Sequence, residues 1–224
     1  MTIQTHTELA ETQAETQAQK RRHAAGQDPE KRGQILNGAW KAFVDQGFDA
    51  ATMNSICKTA GVSKGTLYVY FENKEDLFVA LVEEKRKTFF NGISEQLASA
   101  GTLEERLLAY ANGLATQLTS EDVIHAQRIV ISVVERMPDL GKRFYDTGAR
   151  HFLGCLQEFL RGEIEAGNLV IEDLELAATQ FVELSTAGIW RARMFGRRHD
   201  VPAAQETTAI AREAVRMFMT RYGA

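Results

Sequence analysis

The stretch "AGVSKGTLYVYFENKEDLF", Ala60 to Phe78, decides the fold. It opens on a turn glycine, Gly61, and two residues later places Ser63, a residue type that starts helices by accepting from a backbone N–H. Leu67 and Phe71 then fall four apart on one helical face, where Ile56 and Val62 can meet them. The opposite side of the same short helix shows Lys64, Gly65, Thr66, Tyr68 and Tyr70. Asn73 caps the next helix, with Asp76 placed for a weak capping box.

Upstream, Asp28 caps a helix with Pro29 at its first position. Its stripe of Ile35, Leu36, Ala39, Phe43 and Val44 stops at Gly47. Thr52 caps a shorter helix, "MNSICKTA", that ends at Gly61. Two short helices joined by a glycine-centred turn form the helix-turn-helix signature, whose second helix is presented to the DNA major groove. Gly65 keeps the start of that helix slim, and the free N–H groups of its first turn favour anions. Lys64 reaches a base acceptor or a phosphate, and Thr66 a phosphate or a thymine methyl. Lys74 sits where its ammonium and the adjacent amides suit one phosphate. The blander reading, in which this is helix packing with ordinary exposed tyrosines and lysines, is open to the same pattern.

Working outward, the chain reads as all-α. A long fourth helix, "KEDLFVALVEEKRKTFFNGISEQL", leads into helices expected at Leu103 to Leu118, Glu121 to Arg136, Leu140 to Ala166, Asp173 to Phe195 and Pro202 to Tyr222. No composition break separates the parts, so the boundary is placed inside the fourth helix. That gives a three-helix unit at 28–78 and a helical bundle at 79–224. Residues 1–27 contain "ETQAETQAQ" and almost no large apolar side chains, so they read as a flexible or transiently helical arm. Its basic "KRR", Lys20 to Arg22, either enters a minor groove or stays a solvated tail.

Composition narrows the function. A net charge of −4 removes any global basic character, so a nucleic-acid site must be local. Cys57 and Cys155 lie far apart with no ligand-spaced partner, which argues against a disulfide framework, a zinc site or another metal, and leaves a reducing cytoplasm as the expected location. Both read most simply as small core residues, with a redox role for Cys57 as the alternative. No apolar run reaches the roughly 18 residues of a membrane span. Neither G-x-S-x-G, H-E-x-x-H, a Gly-rich phosphate loop nor a tuned carboxylate pair is present, so an enzyme is not expected and no cofactor is implied.

The segment "ILNGAWKAFVDQGFDAATMNSICKTAGVSKGTLYVYFENKEDLF" resembles the DNA-binding domain of TetR-type transcriptional regulators. The resemblance implies a homodimer of all-helical subunits, each with a small DNA-binding domain and a larger domain that binds a small-molecule effector and releases the operator. It implies phosphate contacts at Thr52, Asn54, Thr66, Tyr70 and Lys74, and groove-facing positions at Ser63, Lys64, Gly65 and Tyr68. Tyr70 stands where some relatives have His. "RIVISVVERMPDLGKRFYDTGARHFLGCLQEFLRGEIEAGNLVIEDLELAATQFVELSTAGI", Arg128 to Ile189, resembles the C-terminal domain of the AefR-like branch. The competing class is a dimeric helical scaffold or adaptor that binds proteins and reads no DNA.

Effector pockets in bundles form between helices with apolar walls. Phe89, Phe90, Tyr110, Leu114, Ile129, Phe152 and Phe181 are candidate walls, each equally readable as core. Arg128 and Ser132, four apart on an apolar face, either orient a polar ligand or, for Arg128, pair with Glu135 or a neighbouring helix. The last two helices are expected to form the dimer through Ala178, Phe181, Ser185, Gly188 and Ile189 together with Ala214, Met217 and Phe218, a stripe rich in small residues.

Overall fold

The computed structural model describes residues 26–224, apart from the side chains of 86–91, 147, 149 and 151. Lys20 to Arg22, and the side chains of Phe89 and Phe90, therefore lie outside the described residues. Within it the chain forms α-helices and no strand; the one isolated bridge pairs Leu169 with Gly223.

The helix-turn-helix unit begins with α1, Pro29–Ala50, capped by Asp28, whose carboxylate accepts from the N–H groups of Glu30 and Lys31 at 2.9 and 3.1 Å. Its helical geometry is interrupted at Gly47. Next comes α2, Met53–Ala60, closed at its start by a capping box that pairs Thr52 with Ser55, and at its end by Gly61 at φ +66. A side chain rarely adopts that left-handed conformation, so Gly61 lets the chain reverse within two residues into α3, Lys64–Tyr70. Asn73 then caps α4, Lys74–Leu97; the Asp76 carboxylate accepts from Glu72 rather than closing a box on Asn73.

The bundle consists of α5 (Leu103–Leu118), α6 (Glu121–Val133), α7 (Pro138–Thr147), α8 (Ala149–Glu165), α9 (Leu174–Ser185), α10 (Ile189–Met194) and α11 (Ala204–Tyr222). Three expected helices differ. The helix expected to reach Arg136 ends at Val133, because the chain turns through 134–137 into Pro138 at the first position of α7. The span Leu140 to Ala166 is two helices, broken at Gly148, where ψ is −85. The span Asp173 to Phe195 is broken at Gly188, whose φ of +80 no helix accommodates. Helical periodicity continues through both breaks, so it could not reveal them.

Two apolar cores result. One holds Ile35, Phe43, Ile56, Leu67 and Phe71 of the helix-turn-helix with Leu77 to Leu81 of α4, and it also takes in Ile129, Val130 and Val133 of α6 and Leu140 of α7. The other holds Tyr110, Leu114, Phe152, Leu156, Phe181 and Phe218, with Ile93 and Leu97 from the end of α4. Thus α4 runs from one core into the other, while the apolar packing does not divide the sequence at residue 78.

Phe43, Phe48 and Phe78 anchor the first core, with ring centroids 5.4 to 5.5 Å apart. Beside them α1 and α2 approach closely: a Cβ built on Gly38 would lie 2.4 Å from the Cα of Ala60. That contact is with backbone and cannot yield by a rotamer change. Gly38→Ala is therefore expected to destabilise the protein by about 1–3 kcal/mol despite its better helix propensity, read as a lowered midpoint in urea unfolding.

Candidate nucleic-acid interface and ligand cavity

The outward face of α3 is built from its two ends. At the start, Ser63 Oγ accepts from the Thr66 N–H at 3.0 Å and pairs with the Thr66 hydroxyl at 2.8 Å, which fixes both hydroxyls on the first turn. Leu67 is fully buried and Phe71 nearly so, and this orients the helix. Ser63, Lys64, Gly65 and Tyr68 are exposed, Tyr68 to 46 %, and the Lys64 ammonium lies 5.8 Å from the Tyr68 ring centre. A basic group and an aromatic body thus share one exposed ridge, suited to hydrogen-bond acceptors and apolar edges in a groove.

Thr52 and Asn54 are exposed at the start of α2, on the same unit. Tyr70 is half-buried and its hydroxyl accepts from the Asp28 N–H at 3.2 Å, leaving its proton available to an acceptor outside. Lys74 is more committed than its sequence position suggests. Its ammonium donates to the carbonyls of Phe48 and Asp49 at 2.6 and 3.3 Å and sits 4.5 Å from the Phe48 ring centre. Two of its three protons are used inside the protein, and one remains for a phosphate.

Gly65 is informative because nothing in the protein requires it. A Cβ there meets only Ser63 Oγ, at 3.9 Å, and no positive φ is involved.

The bundle contains a largely apolar, partly open cavity of about 210 Å3. Leu114 and Leu118 of α5, Phe144 of α7, Phe152 and Leu153 of α8 and Val182 of α9 wall it, and Gln127, Thr179 and Glu183 supply polar atoms. A larger, more open groove of about 710 Å3 between the start of α5 and α11 has a floor of Leu108, Val215 and Met219 and a charged rim of Glu104, Glu105, Arg212 and Arg216.

Of the candidate walls, Leu114 and Phe152 line this cavity. Tyr110 and Phe181 do not: they stack on each other at 6.4 Å in the second core, fully buried. The Tyr110 hydroxyl donates to the Phe152 carbonyl at 3.1 Å, and burial, with Cys155 nearby, pushes its pKa up, so it stays neutral. Ile129 belongs to the helix-turn-helix core. Arg128 donates to the carbonyls of Arg193 and Met194 at 2.6 and 3.1 Å, where it satisfies the end of α10. Ser132 Oγ donates to its own helix, at Ile129. Phe144 and Leu153 escaped sequence reading because the break at Gly148, which separates α7 from α8, carries no periodic signal, and Gln127 and Val182 because helix spacing does not say which helices meet.

The expected dimer stripe faces inward. Ala178, Phe181, Ser185, Ile189, Ala214 and Phe218 are buried within this one chain and cannot meet a partner; of the residues expected there, Gly188 and Met217 are exposed. The spacing was helical but its phase was set by the chain's own core, which small residues also serve.

A family model for the C-terminal domain of AefR-like transcriptional repressors matches residues 105–224, and one for bacterial regulatory proteins of the tetR family matches residues 35–81. The chain belongs to the TetR family. A fatty acid metabolism regulator protein of Bacillus subtilis is 35 % identical over 74 residues, covering 33 % of this chain and 38 % of that one. The activator FasR of Mycolicibacterium smegmatis is 38 % identical over 80 residues, 36 % of each. These matches thus span little more than a third of the curated relatives' length. A TetR-family regulator structure from Mesorhizobium loti superimposes with a TM-score of 0.80 at 27 % identity, covering 87 % of this chain and 98 % of that one.

Gly65→Ala separates folding from recognition. Thermal unfolding should be unchanged or slightly raised, because glycine in a helix costs about 0.5–1 kcal/mol relative to alanine. DNA binding should weaken by about tenfold or more, the size of one or two lost contacts, as measured by fluorescence anisotropy.

Proposed function

We propose that this TetR-family chain is a ligand-responsive, DNA-binding transcriptional regulator. In this reading it binds a palindromic operator as a homodimer and a small molecule releases it. The observation that carries this reading is the α3 ridge of Ser63, Lys64, Gly65 and Tyr68, exposed and held in place by the buried Leu67 and Phe71. Thr52, Asn54, Thr66, Tyr70 and Lys74 take phosphates around it. The same ridge in a protein-binding scaffold would have no use for a glycine that leaves space for a backbone to come close.

Two helices supply the dimer. Gln180 of α9 accepts from the Tyr222 hydroxyl of α11 at 2.8 Å, so these helices lie side by side. Their outward faces carry Leu176 and Leu184 on α9, and Ile210 and Met217 on α11, each exposed or half-buried. Paired about a two-fold axis, these form a four-helix contact and set the two α3 helices against half-sites about one DNA turn, ~34 Å, apart. Leu184→Glu with Met217→Glu should convert the dimer to a folded monomer in light scattering.

The cavity suits an effector with an apolar body and one polar end, the latter met by Gln127 or Thr179. A fatty acyl compound has that form, and the curated relative from Bacillus subtilis is named for fatty acid metabolism. Release follows if the ligand binds the DNA-incompetent arrangement better, with a coupling of about 1–3 kcal/mol.

The test is selection of duplexes from a random pool, followed by titration at several salt concentrations. A selected palindrome whose binding constant falls steeply with salt is expected, with Lys64→Ala plus Tyr68→Ala abolishing binding while the dimer persists. Failure to select any duplex, with an intact dimer, would put the scaffold reading in its place.

A further inference from the structure

The polar groups around the bundle cavity divide by wall. On the α6 side, Gln127 is held by Trp190, whose indole N–H donates to its Oε1 at 2.8 Å. An indole nitrogen only donates, so this contact decides which way the Gln127 amide faces: its oxygen is taken, and its NH2 is what it offers to a molecule in the cavity. On the α9 side, the Thr179 hydroxyl gives its proton to the Glu175 carbonyl at 2.8 Å and keeps only lone pairs, while Glu183 presents a carboxylate. One wall therefore donates and the other accepts. The Tyr145 hydroxyl, on a mostly exposed side chain of the lining, serves either role and sets no preference.

Charge and size narrow the occupant further. Among the described residues that line the cavity there is no lysine, arginine or histidine. Arg191 meets Glu183 from outside the lining at 3.5 Å, and both side chains are more than half exposed, so that pair is screened and weak. A free carboxylate would give up its hydration for a site with no cation in its lining and with Glu183 at its rim. An ammonium would suit Glu183 but set its own donors against those of Gln127. The cavity's 210 Å3 lies below the ~300–1,000 Å3 of drug-sized ligand pockets and equals the liquid volume of about seven waters. We propose that the cavity takes a small uncharged amphiphile whose polar end both accepts and donates: a carboxamide on a short apolar body. Gln127 donates to its carbonyl oxygen, Thr179 or Glu183 accepts from its N–H, and Leu114, Leu118, Phe152 and Val182 cover the body. This rests on the reading of the cavity as an effector site and deepens it, since it sets acyl amides apart from free fatty acids and from acyl groups on large anionic carriers.

Four probes with one chain length test this on the full-length, DNA-free protein at neutral pH: hexanamide, hexanoate, hexylammonium and methyl hexanoate, which accepts but does not donate. Their affinities are read by ligand-observed NMR titration. Hexanamide should bind tighter than either charged probe by about tenfold or more, and tighter than the ester by about threefold or more. Gln127→Leu should weaken hexanamide and the ester by about fivefold or more and leave hexylammonium no weaker, a pattern that a merely structural role for Gln127 would not produce. Glu183→Lys, at an exposed position that the fold does not depend on, should raise hexanoate relative to hexanamide by about tenfold, and it serves as the test if Gln127→Leu does not fold. Hexanoate binding as tightly as hexanamide to the wild-type protein would overturn the proposal. So would the absence of binding by any probe up to its solubility, or a Gln127→Leu variant that weakens all four alike. Selective binding of hexanamide that leaves affinity for a selected duplex unchanged would defeat the effector reading and leave the cavity's preference standing.

Discussion

Helices of eight and seven residues do not hold in water on their own, and α2 and α3 are that short. What keeps them is burial of Ile56, Leu67 and Phe71 in a core that α1, α4, α6 and α7 complete. The recognition ridge is thus no independent element. Its position is an output of packing against helices far along the sequence, and whatever shifts those helices shifts the ridge.

Under the proposed function, this dependence is what would let a distant cavity govern a small DNA-binding unit. The first core recruits Val130, Val133 and Leu140 from beyond residue 120, while the second supplies Leu114 and Phe152 to the cavity wall. The arginines between them work differently. Arg128 and Arg193 spend their donors on carbonyls of Arg193, Met194, Thr119 and His199, holding the connector around α10 by hydrogen bonds where apolar packing is thin and Phe195 stands 87 % exposed. A movement in the bundle can therefore proceed by apolar sliding on one side while this polar strap keeps α6 and α10 together on the other.

The helix-turn-helix was legible because its signals are local. Caps at Asp28, Thr52, Ser63 and Asn73, and the turn at Gly61, each act within four residues, and all appear where the sequence places them. The bundle was legible as helices but not as an arrangement. Gly148 and Gly188 interrupt periodic runs without a proline to announce it, and the cavity depends on the first of them. Ala178, Phe181 and Phe218 have the spacing of an interface, yet a stripe pattern cannot say whether the surface it meets belongs to the same chain or to another. The commitment of Lys74 to the Phe48 and Asp49 carbonyls was equally invisible, since its partners lie 26 and 25 residues away.

The close approach of Gly38 to Ala60 has an evolutionary consequence. A Cβ at 38 would meet the Cα and N of Ala60 as well as its Cβ, so no change of side chain at 60 makes room for it, and a side chain gained at 38 requires α1 to spread from α2. Gly65 answers to no such partner within the chain. Among related proteins that keep this approach of α1 to α2, position 38 should therefore stay glycine irrespective of which DNA is bound, whereas the residue at 65 should follow the binding site and ignore the rest of the fold.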